Sequence, residues 1–200
     1  MKFEFSVNDA LKKAATLSTV QIDVENAERF GITYVNEKGE KVYPILLHAS
    51  ISGGIDRNLF ALLESQYILS QKGKKPMLPV WLSPTQVRII PVSLEFLEYC
   101  EKLLKEIEKE KIRVDLDDQD ITMQKKIRNA EKEWIPYIVV IGERERRENK
   151  LSVRIRKDGG KVVRLTKKEL IEMIKKETEG KPFRKLSLPK KLSLRPKFRG

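Results

Sequence analysis

The 200-residue chain is 40% hydrophobic and 35% charged, with a formal net charge of +12 and one cysteine. This composition suits one full domain, or a small domain plus part of another, and it excludes an internal disulfide framework. No apolar run approaches the ~18 residues that a membrane helix needs. The first fifteen residues alternate apolar and polar side chains, so a secretory leader is not expected and a cytoplasmic location is the default.

The opening stretch reads as β structure. Phe3–Val7 and Thr19–Val24 alternate, and Ile32–Val35 and Val42–Leu47 flank the turn-like Asn36-Glu37-Lys38-Gly39. A helix is expected from about Ile55 to Ser70, where Ile55, Leu59, Leu62 and Leu63 recur at helical spacing. Gln71-Lys72-Gly73-Lys74-Lys75-Pro76 then combines glycine, proline and charge as linkers do.

Beyond that boundary strands and helices alternate. Strands are expected over Gln86–Val92, Ile112–Leu116 and Tyr137–Gly142, with helices over Leu94–Lys109 and Met123–Trp134 between them. Leu97, Cys100, Leu104 and Ile107 share one helix face, and Cys100 reads as a small core residue. Such spacing calls for parallel strands covered by helices. Leu151–Ile155 and Val162–Leu165 are too close for a crossover and read as an antiparallel hairpin, followed by a helix over Lys168–Glu177. Lys181–Gly200 carries eight Lys or Arg and no acid, so it holds +8 of the +12. Its prolines and like charges predict a disordered or extended tail that adds nonspecific RNA affinity.

Two groups of residues invite a chemical reading. His48 precedes Gly53-Gly54-Ile55-Asp56-Arg57 at the mouth of the first helix, where free N–H groups favour an anion and a guanidinium can clamp a phosphate. On spacing alone, a surface Asp-Arg pair and a packed histidine are the commoner readings of these residues. The second group is Arg128 on a helix, Glu145 in a turn and Arg154 on the next strand. A carboxylate accepts from a guanine edge, and an arginine plane stacks on a splayed base or binds phosphate. The competing reading is a solvated charged turn over Glu143–Glu148. Asp115, Asp117, Asp118 and Asp120 lack the glycine and distal glutamate of a calcium loop, and are read as acids at a helix start.

Resemblance sharpens these expectations. Thr19–Asp23, Glu28-Arg29-Phe30-Gly31 and the run Pro44–Arg57 resemble the end of the catalytic domain of archaeal threonyl-tRNA synthetases. The segment closing at Arg57 is similar to the third signature motif of class II synthetases. Trp81–Val87 resembles the start of that family's anticodon-binding domain, and the likeness continues through Ile127-Arg128 and Ile135-Pro136-Tyr137 to Val153-Arg154. It implies that Arg57 contacts the ATP phosphates, that Gln21 lies beside the threonine pocket, and that His48 is one of three zinc ligands. It further implies that Arg128, Glu145 and Arg154 read anticodon bases, with Lys126 a weaker candidate for a backbone contact.

The chain also departs from that family. The other two zinc ligands and the first two class II motifs are missing, and Cys100 lies in the second domain. One protein ligand cannot hold zinc, which takes at least three. ATP and zinc are therefore expected in the intact enzyme, but neither stable binding of them nor threonyl-adenylate formation is expected of this chain alone. Gly54 stands where bacterial members usually carry serine, which leaves a backbone donor but no hydroxyl.

The expected fold class is α/β. Residues 1–72 would be the antiparallel C-terminal part of a class II catalytic domain, 73–180 an anticodon-binding domain with a mixed sheet of about five strands flanked by helices, and 181–200 a basic tail. The expected role is threonine tRNA anticodon recognition for a threonine–tRNA ligase, with a homodimer through the catalytic domain in the intact enzyme. A standalone RNA-binding or regulatory module is the alternative. The His48-Ala49-Ser50-Ile51 run disfavours the histidine, proline and glycine synthetases.

Overall fold

The computed structural model describes residues 1–196. Contacts divide the chain into two compact units, one ending at Gly73 and the other beginning at Lys74.

The first unit contains β1 (Lys2–Asn8), β2 (Ala14–Asp23), α1 (Asn26–Arg29), β3 (Tyr34–Val35), β4 (Lys41–Val42), β5 (Leu46–Ser50) and α2 (Ile55–Gln71). Strands β1, β2 and β5 form an antiparallel sheet in that order, with a bulge between Phe5 and Ser6. The expected strand over Val42–Leu47 is split in two. Pro44 lies in the gap, and its ring removes the N–H that a continuous ladder would use. The turn between β3 and β4 is an Asx turn in which Asn36 Oδ1 accepts from the N–H groups of Lys38 and Glu40.

Much of the apolar surface of this unit stays uncovered. Helix α2 has no buried residue, although Ile55, Leu59 and Leu63 lie on it at helical spacing and are at least half exposed. Phe3, Phe5, Phe30 and Leu47 are exposed as well. Gly53 links the sheet to α2 at φ +66°, and a Cβ there would sit 1.8 Å from the Leu17 carbonyl oxygen, so only glycine fits.

The second unit contains β6 (Val87–Pro91), a 3-10 turn at Leu94–Phe96, α3 (Leu97–Lys109), β7 (Val114–Leu116), α4 (Met123–Lys132), β8 (Tyr137–Ile141), α5 (Glu143–Glu148), β9 (Leu151–Ile155), β10 (Lys161–Leu165) and α6 (Lys167–Thr178). Its mixed five-stranded sheet runs β10-β9-β8-β6-β7. Strand β6 pairs in parallel with β7 and β8, and β8, β9 and β10 are antiparallel. One face packs Val87, Ile89, Val139, Val153 and Ile155 against α3 and α6, burying Cys100, Leu104, Ile107, Leu170 and Ile174. Burial pushes the Cys100 thiol up to about 12. The other face packs Ile90 and Ile138 against Ala130 and Ile127 of α4. Alternation along the strands sends neighbouring residues to opposite faces, which makes both layers possible.

Three local readings are corrected. The cap of α4 is Thr122, whose hydroxyl oxygen accepts from Lys125 N, not the acidic run before it. Glu143–Glu148 is a short helix, α5, not a hairpin turn. It stops at Asn149, which adopts the left-handed conformation (φ 49°) that asparagine tolerates. Trp134 lies beyond the end of α4 at φ 56°, so it closes the helix rather than extending it.

The tail differs most from expectation. Lys191 pairs in parallel with Leu116 on the free edge of β7, and Leu116 N–H donates to Lys190 O at 2.9 Å. Leu192 is buried, and a 3-10 turn runs over Leu192–Leu194. The positive charges are met by acids of the domain. Lys190 pairs with Glu108 at 2.5 Å, Lys191 with Glu101 at 2.6 Å and Arg195 with Asp115 at 2.7 Å. Like charge opposes order only while it has no counter-charge, and α3 and β7 supply that here. Residues 197–200, the last of the expected tail, lie outside the described residues.

Candidate nucleic-acid interface

The two faces of the second unit's sheet are covered unequally. On β9, Leu151, Val153 and Ile155 point into the core, so Ser152 and Arg154 occupy the opposite face. Register carries that face across the sheet, pairing Arg154 with Ile138 and Val162, and Ser152 with Val140 and Arg164. Helix α4 covers the part over Ile90 and Ile138. The short helix α5 meets Ser152 and Arg164 on this face through its Glu145 and Glu148 side chains.

Arg154 extends toward the α4 side of this face. Its Nη1 donates to Gly160 O at 2.9 Å, while its Nε is buried without a partner among the described residues. A Cβ built on Gly160 would lie 2.8 Å from Lys75 Nζ, 3.5 Å from Arg154 Nη1 and 3.7 Å from Glu131 Oε1, so these three groups meet there. Glu131 pairs with Lys75 at 3.2 Å. Arg128 is exposed and lies one turn before Glu131 on α4, so the two share a helix flank.

Glu145 reaches this face from α5. Its Oε2 accepts from Gly142 N–H at 3.0 Å, which caps the helix, and its Oε1 accepts from the Ser152 hydroxyl at 2.7 Å. Arg164 donates through Nη1 to Glu148 Oε2 at 2.8 Å, and this bond leads the contacts that hold the Glu148 carboxyl below its ordinary range. Of the three expected anticodon residues, Glu145 and Arg154 border this face, and Arg128 lies on the α4 flank that carries Glu131. Ser152, Arg164 and Lys75 join them, and the sequence reading did not name these. Period-2 alternation in the two expected strands was a signal that could have found Ser152 and Arg164.

A buried ion network fastens α4 in place. Arg88 is fully buried, donating through Nε and Nη2 to Asp115 at 2.9 Å each, and through Nη1 and Nη2 to Glu133 at 2.9 and 2.7 Å. Burial opposes its charge, but the two carboxylates more than offset that and leave its pKa above the ordinary value. Asp115 also accepts from the Thr85 hydroxyl at 3.0 Å. Lys126 is buried and donates to Asp117 O at 3.1 Å, so it braces the backbone and is not displayed as an RNA contact. Burial raises the Asp117 carboxyl above its ordinary pKa.

In the first unit Gln21 and His48 are direct register partners on β2 and β5, so their side chains share a face. His48 Nε2 lies 3.3 Å from Asp23 Oδ2. The backbone N–H of Asn26, the Asn26 side chain and the Glu25 N–H hold the Asp23 carboxyl down to about 2. Arg57 is exposed and donates to Thr16 O at 3.2 Å. The donor set does not fit zinc: His48 has one carboxylate beside it, already bonded to Asn26 and Glu25, and no group of three His, Cys, Asp or Glu is gathered among the described residues.

Comparison with known proteins finds relatives over the whole chain. A family model described as an anticodon-binding domain matches residues 86–177. The whole chain is 58% identical to a threonine–tRNA ligase of Pyrococcus furiosus and 57% identical to one of Pyrococcus horikoshii, covering 32% of each. It is 52% identical to one of Methanosarcina mazei, covering 31% of it. The chain thus spans about a third of the length of the curated relatives it matches. Among solved structures, the RNA-binding domain of a threonyl-tRNA synthetase from Cryptosporidium parvum is 29% identical with a TM-score of 0.66, over 92% of this chain and 43% of that one. A prolyl-tRNA synthetase from the same organism shares the fold at 20% identity and a TM-score of 0.67, over 82% of this chain and 35% of that one. Over its whole length the chain is similar to about a third of archaeal threonine–tRNA ligases, and its residues 86–177 are similar to an anticodon-binding domain.

Proposed function

We propose that the second unit recognises the anticodon stem-loop of a threonine tRNA for a threonine–tRNA ligase. One observation carries the reading: Glu145 and Arg154 border a single sheet face of which α4 covers the part over Ile90 and Ile138, and Arg128 stands exposed on that helix. A half-buried sheet face flanked by arginines and a held carboxylate suits unstacked single-stranded bases, with the carboxylate accepting from a guanine edge and the guanidinium groups stacking or binding phosphate. The test compares a threonine tRNA transcript with one changed at the central anticodon base. A loss of more than about 1 kcal/mol on that change supports base reading. Equal binding of both would overturn it and leave a nonspecific RNA-binding module.

The first unit supplies the third class II motif to that ligase. Gln21 lies beside the threonine pocket, Arg57 contacts the ATP phosphates, and His48 is one of three zinc ligands in the intact enzyme. The pairing of Gln21 with His48 on one face supports a shared pocket. The lone histidine supports an inactive chain when isolated. Uncovered apolar residues on α2 and β1 support assembly of this unit into a larger catalytic body, including a homodimer in a cytoplasmic ligase. ATP–pyrophosphate exchange by this chain alone would overturn the inactive assignment.

A further inference from the structure

The basic segment after Pro189 has the composition of an RNA-binding arm but not the geometry of one. Its backbone extends the sheet at the free edge of β7, its Leu192 enters the core, and Lys190, Lys191 and Arg195 each have an acidic partner. Ser193 donates to Asp118 from both its backbone N–H, at 2.9 Å, and its hydroxyl, at 2.5 Å. Cations neutralised in this way release few counterions from a polyanion, so they contribute little to RNA affinity.

Arg195 has the most consequential position. Arg88 faces two carboxylates, Asp115 and Glu133, and one guanidinium leaves that cluster a unit negative. Arg195 brings it to neutrality by donating through Nη2 to Asp115 Oδ2 at 2.7 Å, while its Nε donates to Pro189 O at 2.9 Å. Asp115 is fully buried and cannot turn to water, whereas the Glu133 side chain is 49% exposed and can. When Arg195 is absent, Asp115 draws Arg88 toward itself, and the bond to Glu133 is the one that yields. Glu133 is the C-terminal cap residue of α4, the helix that carries Arg128.

We propose that residues 190–196 form a strap, and that Arg195 is a positioning residue that sets helix α4 through Asp115, Arg88 and Glu133. Its consequence for RNA rests on the anticodon reading above; its effect on α4 does not. The test uses the full chain with Arg195→Met and Arg195→Lys, and follows hydrogen exchange of the free protein alongside tRNA binding over a range of salt. In Arg195→Met, α4 amides should exchange faster by about tenfold or more while α6 is unchanged, and Arg195→Lys should restore most of the protection. The slope of affinity against salt should stay at its wild-type value, and discrimination at the central anticodon base should fall several-fold. Unchanged exchange in α4 would overturn the strap. So would a salt slope reduced by about one in Arg195→Met, which would make the residue a phosphate contact. If Arg195→Met unfolds, incomplete protection of α4 in Arg195→Lys relative to wild type supports the proposal, and full protection of α4 with a lowered salt slope refutes it. A wild-type chain that ignores the anticodon base removes only the functional reading, because the exchange result still decides the strap.

Discussion

Gln21 and His48 are opposite one another in the β2–β5 ladder, and Asp23, two residues further along β2, lies 3.3 Å from the imidazole on the same face. Asp23 gives this corner a definite acid response. The Asn26 N–H leads the donors that favour its charged form and hold its carboxyl down to about 2 from an ordinary 3.8. A carboxyl depressed on folding stabilises the fold above its unfolded pKa, and that stability is lost as pH falls through the window between 3.8 and about 2. Circular dichroism melts between pH 2 and 6 should show this loss, and Asp23→Asn should flatten it. An acid limb unchanged in Asp23→Asn would refute the assignment.

Gly53 and Gly39 separate strain from collision. Both have positive φ, but a Cβ at Gly39 meets nothing within 4 Å, whereas one at Gly53 meets the Leu17 carbonyl oxygen at 1.8 Å. Gly39→Ala should lose only the backbone strain, about 1 kcal/mol. Gly53→Ala must also shift β2 or the start of α2, and should lose at least about 2–3 kcal/mol. Paired denaturant titrations of the two variants measure the difference, and equal losses would mean that β2 moves aside freely.

Arg88→Met should be among the most damaging substitutions in the second unit. It leaves the buried Asp115 facing Arg195 alone and releases Glu133, with an expected loss of about 3–5 kcal/mol. Both tryptophans, Trp81 and Trp134, lie in this unit, so urea unfolding followed by tryptophan fluorescence reports on it. A loss below about 1 kcal/mol would place the network's contribution in the range of surface pairs.

One substitution separates the cap that Glu145 makes on α5 from its proposed role in base reading. Glu145→Gln keeps an oxygen for the Gly142 N–H and so keeps the cap on α5, but it replaces one acceptor with a donor. Thermal stability should stay within about 0.5 kcal/mol of wild type. Binding of the threonine tRNA should fall by about 1–3 kcal/mol, the scale of one specific base contact. Unchanged binding would remove Glu145 from base reading while leaving Arg128 and Arg154 to be tried separately.

What could be read in advance followed from local periodicity. Leu151–Ile155 was legible because its alternation is complete, and the helix containing Cys100 and Ile107 because its apolar stripe is. The break at Pro44 was also legible, and joining Val42 to Leu47 overlooked it. The tail was not legible, because its partners lie about 75 to 90 residues away in sequence and nothing local pairs Lys191 with Glu101 or Ser193 with Asp118. Arg88 was hidden for the same reason: a charged residue within an apolar run looks misplaced until the strand and helix bringing Asp115 and Glu133 are in position. Glu145 was named from resemblance, but its bond to Ser152 depends on α5 being a helix, and six charged residues in a row look like a solvated turn.

The two bonds that hold Glu145 affect the timing of any encounter with this face. A glutamate free to rotate gives up about 0.5–1.5 kcal/mol of freedom when a ligand fixes it. With Gly142 and Ser152 gripping one oxygen each, most of that freedom is already gone in the folded protein. If this face takes RNA as proposed, a base arriving at this carboxylate meets a fixed shape and is accepted or rejected without waiting for the side chain. Favoured and disfavoured bases would then arrive at similar rates and differ in how long they stay.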